Sequence, residues 1–327
     1  MASDAGAEYA PRRLRLLPEH SGRRLDQVLA ELLPAFSRSR LQHWIDQGRV
    51  LVDGQVPRPK DSVRGVEEVW VHPRVEPASE CLPQPIPLSV VYEDAHLLVL
   101  DKPAGLVVHP AAGHSDGTLQ NALLHHDPRL GELPRCGIVH RLDKDTTGLM
   151  VVARSLLAHR SLVAQLKART VKREYRALVV GQVAAAGRVD APIGRHPTRR
   201  TAMAVVAGGR PAITDYRVLE RYRRHTMTGV RLQTGRTHQI RVHMAYLRHP
   251  LVGDPVYGGR VRAGGNESSG VVQALRQFPR QALHAIGLGL IHPHSGELVN
   301  WQIPMAPDLA ELCEILRRDG DDASSAS

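Results

Sequence analysis

Between residues 137 and 152 the chain sets His140, Arg141, Asp143, Lys144 and Asp145 between an apolar approach (Ile138, Val139) and an apolar exit (Leu149 to Val152). If core segments hold these side chains in a cleft, a carboxylate can be desolvated while a neighbouring arginine keeps it ionised. The flanks predict a strand, a polar turn and a second strand. A charged hairpin tip would give the same pattern, since structural ion pairs use the same residues. Two more stretches could contribute chemistry. In residues 172–181, Tyr175, Ala177 and Val179 alternate with Arg176, Leu178 and Val180, as a strand demands. In residues 232–244 a strand end, a turn at Gly235 and a helix capped by Thr237 are expected, with Ile240, Met244 and Leu247 facing the core. Arg236 and Arg241 fall near the start of that helix, where free N–H groups also favour anions.

Other chemistries find less support. His238 and His243 are five apart, and His292 and His294 flank a proline; neither spacing puts two imidazoles on one helix face. No metal site is expected. There is no Gly-x-x-x-x-Gly-Lys loop and no Gly-x-Gly-x-x-Gly fingerprint, so no cofactor is expected either. The three cysteines, Cys81, Cys136 and Cys313, lack paired spacing and read as reduced thiols of a cytoplasmic protein. No apolar run reaches the length of a membrane span, and the first residues do not resemble a signal peptide. A formal charge of +10 points to a polyanionic partner, which basicity alone cannot name.

The elements that must position these groups follow from periodicity. Residues 1–12 read as a disordered tail. Leu25, Val28, Leu29, Leu32 and Leu33 predict a helix stopped by Pro34. Ser37 can cap a second helix carrying Leu41, Trp44 and Ile45, with Gly48 ending it. Val50 to Val52 then runs into Asp53-Gly54, a tight-hairpin signal, and residues 69–71 form a later strand. Prolines 73, 77, 83, 85 and 87 mark an extended joint, so one domain is placed at 13–77, a linker at 78–87 and a larger domain at 88–316. Within the larger domain, residues 97–100 read as a buried strand, 118–124 as a short helix, and Ser155 as the cap of a helix whose apolar face is Leu156, Leu162, Val163 and Leu166. Residues 195–212 read as a basic loop whose Arg195, Arg199, Arg200 and Arg210 can neutralise phosphates. Strands at 288–291 and 298–303, a helix at 308–316 and a disordered tail at 317–327 complete the chain.

The run His140-Arg141-Leu142-Asp143-Lys144-Asp145-Thr146-Thr147-Gly148-Leu149 resembles the signature of the RluA family of RNA pseudouridine synthases. So do Asp101-Lys102-Pro103-Ala104-Gly105, the stretch around Tyr175, residues 232–244, 253–259 and 281–285. The resemblance implies that Asp143 is the catalytic carboxylate, that Tyr175 faces the target base, and that Arg241 pairs with Asp143. It also implies that Arg141, Arg236 and His238 lie close to RNA, that Leu283 walls the base pocket, and that no cofactor is used. Residues 13–77 resemble the αL RNA-binding motif of a small-subunit ribosomal protein, carried by the entry Ser37-Arg38-Ser39-Arg40 and the exit at residues 48–54; Arg38 and Arg40 would touch RNA. The loop at 194–200 resembles that of a branch acting on 23S ribosomal RNA, free or in the large-subunit particle, which adds Arg199 and Arg200 to the RNA contacts.

The fold class implied is α+β: a mixed, mainly antiparallel sheet with flanking helices, plus the small amino-terminal αL-type RNA-binding domain. The expected protein is a cytoplasmic monomer that isomerises uridine. Pseudouridine formation suits a single carboxylate, because uracil is both the leaving group and the returning nucleophile; glycosidases need two. A non-catalytic RNA-binding or ribosome-assembly protein is the alternative, and would tolerate Asp143→Asn.

Overall fold

The computed structural model describes residues 11–34, 36, 38–73, 81–110, 116–199, 201–258 and 268–325, with side chains omitted at residues 39–40 and 321–325. Ser37 and Arg200 therefore lie outside the described residues, as does the Arg40 side chain. The chain divides into two compact units, residues 1–80 and 81–327.

In the first unit, β1 (Arg12–Arg15), β2 (Val50–Val52) and β3 (Glu68–Val71) form an antiparallel sheet in the order β1-β3-β2. Helices α1 (Leu25–Leu32) and α2 (Arg38–Asp46) pack Leu25, Val28, Leu29, Leu41, Trp44 and Ile45 against Val50, Val69 and Val71. These are the apolar positions that the three-and-four spacing selects. Gly48 and the Asp53-Gly54 pair all take positive φ, so the helix stop and the tight turn stand where expected.

In the second unit a nine-stranded sheet runs β4-β5-β6-β13-β7-β12-β11-β8, with β14 pairing β13. Its strands are β4 (Val90–Glu93), β5 (Leu97–Lys102), β6 (Thr147–Ala153), β7 (Lys172–Val180), β8 (Gly187–Asp190), β11 (Ile213–Arg221), β12 (His225–Leu232), β13 (Leu283–Ile291) and β14 (Leu298–Gln302). Every pairing in it is antiparallel except β6 with β13. At that parallel junction Gly148 has φ 111°, and a Cβ there would stand 2.2 Å from the Ala285 carbonyl oxygen, so only glycine lets the two backbones meet. Helices α3 (Leu119–His126), α4 (Leu156–Ala168), α5 (Gln239–Tyr246), α6 (Ser269–Gln277) and α7 (Pro307–Ser325) accompany the sheet. Thr118 and Ser155 cap α3 and α4. The α+β expectation thus stands.

Several local expectations do not. The approach to Asp143 is no strand: Ile138 makes a single bridge to Val152, and a 3-10 turn (Pro134–Gly137) precedes it. Residues 195–212 are not simply loop, since β9 (Ile193–Arg195) and β10 (Met203–Val205) form an antiparallel ribbon. Three-residue strands are too short for alternation to show. The face of α4 buries Ala158 and Leu162, leaving Leu156 and Val163 exposed. Helix α7 continues to Ser325, where a tail was expected from residue 317. Polar composition hid this extension, although Leu309, Leu312, Cys313 and Leu316 anchor its first turns in the core. The cap of α5 is His238, in a left-handed conformation, and not Thr237.

Candidate active site

Asp143 lies in the irregular segment entering β6, next to the end of the buried strand β5. Three groups hold this segment from behind. The Lys102 ammonium, 1% exposed, donates to the carbonyls of Pro103 (2.6 Å), Leu106 (3.0 Å) and Lys144 (2.8 Å). Burial pushes its pKa down to about 8, against the pull of Asp145 and Asp143. The buried Arg280 guanidinium forks onto Asp308 at 2.7 Å twice and turns its third nitrogen to the carbonyls of Asp145, Gln281 and Leu283. Gln281 donates to the Thr146 hydroxyl at 3.1 Å. A loop whose carbonyls are taken by buried cations has few ways to move.

Arg241 comes from the first turn of α5 and is 5% exposed. Its Nε and one terminal nitrogen grip Asp254 at 2.7 and 2.9 Å, and the other reaches Asp143 Oδ2 at 3.0 Å. Burial opposes the Arg241 charge, but Asp254, aided by Asp143, more than offsets it and raises the pKa. Asp254 is itself fixed by the Val256 and Tyr257 amides at 2.9 and 3.0 Å. Arg241 is thus clamped on one edge and offers Asp143 the remaining nitrogen. His238 Nε2 stands 4.0 Å from Asp143 Oδ1, while its Nδ1 pairs with the Tyr257 hydroxyl at 2.9 Å. Burial lowers the His238 pKa, with Asp143 opposing and Arg241 assisting.

These groups meet in one pocket lined by Arg141, Leu142, Asp143, Thr146, Tyr175, Arg236, His238, Arg241 and Leu283 among others. Tyr175 projects from β7, is 5% exposed, and pairs in register with Val230 and Ala285. Burial raises its pKa; Arg173 opposes and Asp143 reinforces the rise. The pocket therefore offers a carboxylate beside a fixed cation, a neutral phenol and an apolar wall. Asp143 is 18% exposed through this opening. Among the described residues no group of three or more His, Cys, Asp or Glu side chains could hold a metal ion.

Comparison with known proteins gives this geometry its context. Residues 96–246 match the RNA pseudouridylate synthase family, and residues 23–69 match the S4 domain. A Pseudomonas aeruginosa protein, ribosomal large subunit pseudouridine synthase D, is 58% identical over 301 residues, covering 92% of this chain and 94% of that protein. The chain belongs to the RluA family of RNA pseudouridine synthases. An Escherichia coli protein of the same name is 54% identical over 299 residues, covering 91% of this chain and 92% of its own. Among solved structures, human RNA pseudouridylate synthase domain containing 4 superposes with TM-score 0.54 at 26% identity, over 70% of this chain and 93% of that one.

In this RNA pseudouridine synthase, Asp143, Tyr175, Arg241, Arg141, Arg236, His238 and Leu283 share one pocket, although they come from segments far apart in the chain. Arg199 donates to the Val256 carbonyl at 3.2 Å on an exposed surface. In the S4 domain, Arg38 is committed to the buried Asp26, at 2.9–3.2 Å through three contacts, though its side chain stays 42% exposed. His140, the first residue of the signature, is structural: its Nε2 accepts the Val151 amide at 3.0 Å, and burial drives its pKa to about 3. The roles of Lys102, Asp254, Tyr257 and Arg280 escaped the sequence reading. Asp254 precedes Pro255 and caps the turn at residues 254–257, a local signal that names a turn but not its distant arginine.

Proposed function

We propose that this synthase isomerises uridines in a stem-loop of 23S ribosomal RNA, free or within the large-subunit particle, with Asp143 as the catalytic carboxylate. The observation that carries the reading is the partly open Asp143, held at 3.0 Å by the clamped Arg241 in a pocket shared with Tyr175 and Leu283. The names of the relatives supply the substrate class. Basic surface on both units would neutralise phosphates, offsetting the few kcal/mol needed to unstack a target base. Arg141, Arg199 and Arg236 would serve in the larger unit and Arg38 and Arg40 in the S4 domain. Arg200 belongs to the same proposal.

In the pocket, the uracil lies against Tyr175 and Leu283 with its sugar toward Asp143. The C1′–N1 bond breaks, uracil turns, and a C5–C1′ bond forms; the C5 proton is then lost, a step that Tyr175 would assist. Asp143 acts on the sugar, by attack at C1′ or by removing a sugar proton, and Arg241 orients it. No atom is gained or lost, so no co-reactant is required. The enzyme acts as a monomer in the cytoplasm. Among the described residues no helix is long and apolar enough to cross a membrane.

The test is tritium release from 23S transcript and from large-subunit particles labelled at uridine C5. Wild type should release tritium, and Asp143→Asn should bind the RNA without releasing it. Release by Asp143→Asn at the wild-type rate would overturn the assignment of Asp143. Failure of wild type on both substrates, with turnover of another RNA, would overturn the substrate.

A further inference from the structure

Strand β7 carries a second side chain on the face of Tyr175 that no part of the reaction has used. Arg173 stands two residues before Tyr175, so alternation aims both the same way. It is only 9% exposed. Its Nε is shut from solvent with no hydrogen-bond partner, and among the described residues its guanidinium has no ion pair. A guanidinium shielded on its Nε side and lacking a counter-charge is left with hydrogen-bonding capacity that an anion can fill. One terminal nitrogen lies 2.8 Å from where a Cβ of Gly235 would stand, so the guanidinium is seated against the turn that leads directly into Arg236. Arg236 lines the catalytic pocket and spends its Nε on the Pro211 carbonyl at 3.0 Å. Burial, followed by the charges of Arg210 and Arg169, lowers the Arg236 pKa. Among the described residues none of these four arginines is paired with a carboxylate.

We propose that Arg173 and Arg236, rimmed by the exposed Arg169 and Arg210, form an anchor for an RNA phosphodiester next to the target nucleotide. A guanidinium fork fits two phosphate oxygens, and an incoming phosphate supplies the counter-charge that Arg173 lacks. Gly235 is required as the residue that leaves room for the guanidinium. The anchor grips the backbone beside the unstacked uridine and carries no sequence information itself. It rests on the reading of the pocket as the site of uridine isomerisation.

The full-length protein provides the test. Arg173→Met and Arg173→Gln should fold with melting temperatures no lower than wild type, because they remove an unpaired buried charge. Binding to 23S transcript should weaken about tenfold, and the salt slope of log K should shrink by about 0.7–0.9. Turnover at saturating RNA should remain within about twofold of wild type. Gly235→Ala, which displaces the guanidinium, should weaken binding in the same direction. Arg188→Gln is the control: that guanidinium is already paired with Asp215 at 2.6 Å, so the slope should not change. A lower melting temperature with an unchanged slope would make Arg173 structural. A fall in kcat with unchanged affinity and slope would place its charge on the reacting base instead. Either outcome overturns the anchor. The slope is measured on an unrelated hairpin as well, since a phosphate contact persists there even if 23S RNA is the wrong substrate.

Discussion

Asp26 and Asp143 both sit among arginines, and of this pair only Asp143 opens onto a pocket. Asp26, in the S4 domain, is fully buried; Arg24 binds it at 2.7 and 3.1 Å, Arg38 adds three contacts, and Gln42 adds another. Burial opposes its charge, but these partners together lower its pKa. Asp143 receives one arginine nitrogen, on one oxygen, and its other oxygen has His238 no closer than 4.0 Å. Its arginine is chiefly bound to Asp254. Pairing with arginine therefore does not distinguish a saturated carboxylate from one left open. Saturation does: every lone pair of Asp26 that faces a donor is used, whereas Asp143 keeps one edge toward an open pocket.

The comparison is most sharply broken by exchanging function for stability at the two sites. Asp143→Asn should lower pseudouridine formation more than about a thousandfold, with RNA affinity and melting temperature near wild type. Asp26→Asn should leave turnover per folded molecule nearly intact. An Asp143→Asn protein that unfolds, or an Asp26→Asn protein that folds but does not turn over, would erase the distinction.

One step outward lies the clamp. Asp254→Asn should reduce kcat about ten- to a hundredfold, with little change in RNA affinity, since Arg241 would be free to leave its position. Equal loss in binding would show that Asp254 shapes the pocket rather than orienting Arg241.

Stability supplies the next test. Asp26→Ala should destabilise the S4 domain by about 2 kcal/mol, read as an earlier transition in urea. The Asp26 pKa is depressed by folding, so its contribution is present above the ordinary carboxylate value of 3.8 and is lost as pH falls below it toward the folded value. The difference between wild type and Asp26→Ala should therefore shrink in acid.

The smallest effect concerns Lys102. Its folded pKa near 8 lies below its ordinary 10.5, so between these values the unfolded chain holds the extra proton and folding stability rises with pH. Loss of that proton weakens the hold on the Lys144 carbonyl. Turnover should fall a few-fold above pH 8 while the melting temperature does not. Lys102→Met should lack this alkaline limb; a limb that persists would assign it to another group.

Much of this was legible in the chain. Helices α1 and α2, the strand at 97–100, the Tyr175 strand and the Asp53-Gly54 turn follow from local periodicity and turn chemistry, which act over a few residues. The dense run at 140–149 identified the family and pointed to Asp143. The family resemblance assigned Arg241 to Asp143 and Arg38 to RNA; the tertiary structure shows Arg38 bound to a saturated buried carboxylate and Arg241 beside a half-open one. Asp254, Lys102, Arg280 and Arg173 gained their roles in the same way. Each is defined by which distant groups lie within about 3 Å and whether water can reach them. Such facts depend on how β5, β6, β7 and β13 are brought side by side, and no local rule of spacing encodes that pairing.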